Sequence, residues 1–397
     1  MTDIIKMALN AMPDVKKPQQ NFIAHLLALL VTFQGKATFR NLSRYSKYCE
    51  KTFSRWFRRN FNFSLFNILM LKQQLLEGTV FIAALDASFI SKSGKKTTGL
   101  AQFWRGCTSR AEKGLEISLL SVIDVNSETA YGLNAKQTID KKEETRVDLY
   151  TKHVLEHSHH LTALNIQYLC VDSYYSKAKF VEPIRKTELH VIGKLRHDAN
   201  LRWPNEQAYT GKGRPKIYDG KVNVEQDLSR FQYVGIKGEK TSIYTAKLYS
   251  PNLQCWIRVV LLRFKQGNKQ GHALIYSTDI NLPPKLIFKY YQLRFQIEFF
   301  FRDAKQYTGL THCQARDEVA INFQINSACS ALNAVKLEDF GQKKITGKTV
   351  ISIDSWKRKK FNQHLMKRLF SKLGLSLTEE KVRDVYWYFS EYGTIAA

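Results

Sequence analysis

Tyr291, Arg294, Glu298 and Lys305 stand at i, i+3, i+7 and i+14 in the run YQLRFQIEFFFRDAKQYTGL, so an unbroken helix would carry them on roughly one face. One carboxylate among three groups able to hold phosphate suits the cutting of nucleic acid. Two more carboxylates close apolar runs that read as strands, Asp86 in VFIAALDASF and Asp172 in IQYLCVDSYY. Three acids from separate elements could hold two divalent ions around a phosphodiester. Magnesium suits such an all-oxygen set, with two Mg2+ ions expected and Mn2+ fitting the same site. The chemistry would be in-line attack on phosphorus, with no covalent protein intermediate.

Each neighbour has a chemical task. Arg294 can fork onto a pair of phosphate oxygens, Lys305 can act as a longer point charge, and the Tyr291 hydroxyl can donate one directional hydrogen bond. The bland alternative is an i,i+4 surface pair of Arg294 and Glu298. Other acids fit less well. Asp124 ends a strand expected to run opposite to that of Asp86, which places it at the far edge, and Asp303 reads as a helix residue turned away. His197 and Asp198 have no serine or cysteine nucleophile beside them and read as a solvated loop.

The elements that must position these groups follow from periodicity and breakers. Residues 1–78 read as a helical DNA-binding domain with 12 basic and 4 acidic residues. Arg55, Arg58 and Arg59 bracket Trp56 and Phe57, so an apolar face could dock while the basic face meets phosphate, as in a helix-turn-helix unit. Residues 79–195 read as the first part of an α/β core. FIAALDASFI, LEISLLSVIDV and TAYGLNA form a meander, followed by a helix, the strand of Asp172, another helix and LHVIGKL. Short β-type runs separated by Gly, Pro and Asn make 196–284 a β-rich insertion whose last run could rejoin the main sheet. Pro283 and Pro284 introduce the second core part, 285–345, and 346–397 reads as a C-terminal helical region.

Within the insertion, Trp203 and Trp256 could stack on an unpaired base, although a core role is favoured for each. Lys212, Arg214 and Lys216 in GKGRPK could follow a phosphate backbone, or form a merely solvated loop.

Composition bounds the rest. The 397-residue chain is 44% hydrophobic, and 61 Lys and Arg against 35 Asp and Glu give +26, an excess that points to a polyanionic partner. Six cysteines, at 49, 107, 170, 255, 313 and 329, come no closer than sixteen residues, which excludes a CxxC zinc pair and suggests reduced thiols. The apolar stretch Phe22 to Phe33 is too short to span a bilayer, and its flanks lack a signal peptide's features. No membrane partner is expected.

The spacing Y291-x2-R294-x3-E298-x6-K305, with DASF at 86–89 and VDSYYSK at 171–177, resembles the Y-x2-R-x3-E-x6-K signature of bacterial insertion-sequence transposases of the DDE class. The resemblance covers roughly residues 79–345. It implies a ribonuclease-H-like mixed sheet flanked by helices and interrupted by the β-rich insertion. It also implies an acidic triad of Asp86, Asp172 and Glu298, with Tyr291, Arg294 and Lys305 holding DNA. The implied activity is cleavage at terminal inverted repeats and joining of 3′ ends to target DNA, by cut-and-paste through hairpinned ends. A homodimer in the synaptic complex and a cytoplasmic, bacterial nucleoid-associated location follow from the same resemblance. It does not align Trp256, 42 residues before Glu298, to a base-flipping role. The rival readings are a nuclease of the same fold and a catalytically inactive DNA-binding regulator.

Overall fold

The computed structural model describes residues 2–74, 78–106, 108–140, 142–207, 211, 214–238, 241–266, 269–312, 314–346 and 352–395. Lys212, Cys107 and Cys313 lie outside these. Five helices open the chain: α1 (Thr2–Asn10), α2 (Lys17–Thr32), α3 (Phe39–Arg44), α4 (Glu50–Trp56) and α5 (Phe63–Gln74). Thr38 caps α3 by accepting from the Asn41 amide. Phe22 stacks on Trp56, and Phe57 packs against Phe39 and Phe323, so α4 turns its aromatic face inward. Arg55 on α4 and Arg58 and Arg59 just past its end stay exposed.

Strands β1 (Phe81–Ser91), β2 (Ala101–Arg105), β3 (Arg110–Asp124) and β4 (Thr129–Gln137) follow, then α6 (Arg146–Glu156), α7 (Ser158–Thr162), β5 (Tyr168–Cys170), α8 (Ala178–Arg185) and β6 (His190–Leu195). The expected meander is present as β1, β3 and β4, joined antiparallel. The hairpin strand β2 is additional, so the strand before Asp172 is fifth rather than fourth. β1, β5 and β6 run parallel, as apolar runs buried on both faces should.

The insertion contributes β7 (Arg202–Pro204), β8 (Tyr218–Lys221), β9 (Gln232–Lys237), β10 (Thr241–Ser250), β11 (Cys255–Gln266) and β12 (Lys269–Ser277). β12 pairs with β6, so the insertion extends the core sheet. The order is β2-β3-β1-β5-β6-β12-β11-β10-β7-β8, with β4 on β3 and β9 on β10. This is a mixed sheet flanked by helices, with an N-terminal helical region and a β-rich insertion, consistent with a ribonuclease-H-like fold. Trp203 is buried against Phe231 with Arg230 over its ring, whereas Trp256 is half-buried beside Tyr218 and Tyr249.

The last helices are α9 (Pro284–Leu293), α10 (Gln296–Tyr307), α11 (Glu318–Thr346), α12 (Ile353–Leu373) and α13 (Glu380–Ser390). Ile82, Ala84 and Ile90 of β1 face a core shared with α9, α10 and α11, while Ala83 and Leu85 face one shared with the N-terminal helices, α6 and α8. α11 lies beside edge strand β4 and contributes to both cores, Phe323 and Ala334 to one and Ile325 and Leu332 to the other. Its asparagines close that edge. Asn322 Oδ1 accepts from the Gln137 amide; Asn326 bonds both the N–H and C=O of Ala135; Asn333 does the same for Gly132. A Cβ on Gly132 would stand 2.9 Å from Phe300 Cζ of α10 and 3.3 Å from Cys329 Cβ of α11, so glycine here lets the strand lie close to both helices. Among the described residues, no helix is long and apolar enough to cross a membrane.

Candidate active site

β1 is buried from Ile82 to Leu85 and becomes half-exposed at Asp86, where β5 beside it has already ended. Ala84 pairs with Cys170, the last residue of β5, so Asp86 and Asp172 each follow that pair by two residues, and Asp86 feels the charge of Asp172. Carboxyl ends of parallel strands are where open α/β sheets bind ligands. Beyond β5 the chain turns into a short 3-10 turn, whose Tyr174 amide donates to Asp172 Oδ1 (2.8 Å) and fixes the carboxylate's orientation.

The expected single helix carrying the third carboxylate is two helices. Phe295 N bonds to Gln292 O, Ile297 N to Arg294 O and Glu298 N to Phe295 O, a run of i→i−3 bonds that tightens the chain between α9 and α10. No proline or glycine marks the break. α10 then buries Ile297, Phe300, Phe301 and Ala304 at helical spacing, which leaves Glu298 in its first turn at the border of the sheet.

Arg294 at this junction joins two of the acids. Its Nη2 donates to Glu298 Oε1 at 2.8 Å, and its Nη1 lies 3.7 Å from Asp86 Oδ2. The side chain is only 13% exposed, against 42% for Glu298, and its Nε is buried with no hydrogen-bond partner. Burial pushes the Asp86 carboxyl up to about 7; Arg294 and the Ala87 amide pull it down, and Asp172 and Glu298 push it further up. Asp172 and Glu298 are therefore both close enough for Asp86 to feel their charge. Tyr291 lies beside Arg294, and burial raises its hydroxyl's pKa. Lys305 donates to Ser88 Oγ (2.8 Å) and Phe89 O (3.0 Å), tying α10 to β1 two and three residues past Asp86.

The donor set suits a hard divalent ion, being all carboxylate oxygen. Among the described residues, however, no three such side chains are gathered as a ready metal cage, and the Arg294 guanidinium bridges two of the acids instead. The other sequence candidates lie apart. Asp124 pairs with Phe81 at the far end of β1 and accepts from Asn126 and Ser127 in a turn. Asp303 is paired with Arg302, and Asp198 with Arg196. Lys216 pairs with Asp219, and Arg214 is exposed in the insertion.

The sequence reading missed a basic groove at the end of β1. Lys36 and Thr38, Ser91 to Thr97, and Thr311, His312, Gln314 and Arg316 line it from three distant segments. The lysines of SKSGKK were its only local signal.

The family model described as Transposase DDE domain matches residues 82–334, which is more than half of the chain. No curated protein matches it significantly.

Proposed function

The chain belongs to the Transposase DDE domain family, and from that premise we propose that it cleaves the ends of a mobile DNA element and joins their 3′-hydroxyl ends to target DNA. The observation that carries the reading is Arg294 bridging Asp86, midway along β1, and Glu298, in the first turn of α10, with Asp172 just past β5 near enough for its charge to act on Asp86. The spacing of Tyr291, Arg294, Glu298 and Lys305 supports it. Asp86, Asp172 and Glu298 are the residues that would hold two Mg2+ or Mn2+ ions, which when bound supply charge neutralisation and activation of the attacking oxygen.

The chain's own groups have distinct tasks in this reading. Asp172 is held in place by the Tyr174 amide. Arg294 neutralises the two acids it touches and has the fork geometry to grip a phosphate laid across them. Lys305 acts first as a positioning residue, because its two bonds to β1 set the height of Glu298 beside Asp86. The exposed Arg55, Arg58 and Arg59, on α4 and just past its end, are proposed to meet duplex phosphates, with a pair of protomers holding two inverted-repeat ends.

The test combines the purified chain, duplex carrying the element's terminal repeat, plasmid target and Mg2+, beside Asp172→Ala and Glu298→Ala. End cleavage and joined product that vanish in both variants support the transposase. Persistent hydrolysis without joining would favour a nuclease, and binding without either reaction a regulator.

A further inference from the structure

The groove at the end of β1 is about 800 Å3 and carries Lys36, Lys92, Lys95, Lys96 and Arg316; none of its described lining residues is acidic. Lys36, Lys95, Lys96 and Arg316 are exposed. Such a concentration of cations repels itself unless a polyanion lies in it.

The groove is built rather than incidental. Lys92 Nζ donates to Ala315 O (3.1 Å), and the Thr98 amide to Arg316 O (2.8 Å), which binds the loop after β1 to the segment after α10. The Ala37 amide donates to His312 Nδ1 (3.0 Å), which adds the N-terminal helices as the third wall. Gly309, at φ +79, lets that wall close: a Cβ there would stand 2.5 Å from the Cβ of Ala37.

We propose that this groove grips the phosphate backbone of the DNA duplex on one side of the scissile phosphate, about five base pairs from it. The distance comes from β1, since Ser91 at the groove's mouth lies five residues past Asp86, about 17 Å along an extended strand. Duplex DNA advances about 3.4 Å per base pair, so that span is about five. The inference rests on the carboxylates being the cutting site, and it adds a second, sequence-independent grip that measures length.

The test uses the full chain and terminal-repeat duplexes shortened stepwise on each side of the cleavage point, with affinity measured across a salt series. Lys95→Ala/Lys96→Ala should lower the log–log salt slope by about 2, as loss of two phosphate contacts requires. Trimming one flank from about ten to about three base pairs should weaken the intact chain and leave this variant unmoved, while Lys95→Arg/Lys96→Arg keeps both behaviours. Lys372→Ala/Lys381→Ala, which removes the same charge from exposed helix positions elsewhere, should leave the slope unchanged. Equal loss in that control, or full length-sensitivity in the alanine pair, overturns the groove. A chain that cuts nothing while the alanine pair alone still loses its slope sinks the reading of the carboxylates and leaves the groove as a DNA grip.

Discussion

The two halves of the sheet share one hydrogen-bond ladder and differ in what covers them. In the half built from β1, β3 and β5, residues such as Ile82, Leu120 and Leu169 are sealed between two helical layers. In the outer insertion half, β8 and β9 are largely open, with Tyr233 53% and Ile236 64% exposed. Backbone pairing alone carries a sheet outward, but only cover on both faces fixes side chains well enough to bring carboxylates from separate elements to one mouth. The insertion half has surface to offer; the inner half has precision.

The contrast can be broken most forcefully at the mouth itself. Glu298→Gln should cut end cleavage by at least ~10³-fold, since several kcal/mol of charge stabilisation is at stake, while the thermal midpoint stays close to that of the parent. A smaller but structural blow is Asn326→Ala. It leaves the N–H and C=O of Ala135 unpaired inside the protein and should cost about 3 kcal/mol in urea unfolding.

Acid should also find the inner half. His157, between α6 and α7, is held down to about 4 by burial, with His160 adding to the effect. Buried His153 is lowered well below its usual value too. The unfolded chain protonates these groups below 6.5 while the folded chain resists, so their stability is whole above that pH and is lost on the way down to about 4. His157 alone should cost up to about 2 kcal/mol at pH 5. His157→Gln should flatten that part of the urea-midpoint profile, and an unchanged profile would assign the acid sensitivity elsewhere. The smallest effect belongs to the outer half, where Ile236→Ser should stay within about 0.5 kcal/mol in the same assay.

How much of this the sequence disclosed depends on how local each feature is. Asp86 and Asp172 stood out because each ends an apolar run, and the helical region of Glu298 because Tyr291, Arg294, Glu298 and Lys305 keep helical spacing behind a double proline. The break at Arg294 was hidden, because tightened i→i−3 bonds leave no proline or glycine behind. The insertion's union with the core depended on β12 finding β6, a pairing between segments some eighty residues apart. The basic groove draws on segments near positions 36, 95 and 314, and no window along the chain contains all three. Trp203 and Trp256 looked alike in sequence; only their neighbours separate a buried ring from a half-buried one.

The asparagine seam along β4 works as a vernier between two different rulers. From Asn322 to Asn326, four helical residues advance about 6 Å, close to the two strand residues from Gln137 to Ala135. From Asn326 to Asn333, seven helical residues advance about 10.5 Å, close to three strand residues from Ala135 to Gly132. Three is an odd step, which would turn Gly132 away from the helix in a regular strand. The register shift opposite Leu120 and Ser121 supplies the missing half-turn, pairing Asn134 and then Gly132 with Leu133 slipped out between them. Helix and strand are thus locked to each other's count. A single residue gained or lost between 322 and 333, or between 132 and 137, would throw the remaining amides about 100° or one pleat out of step, so length variation in this protein has to fall outside those two stretches.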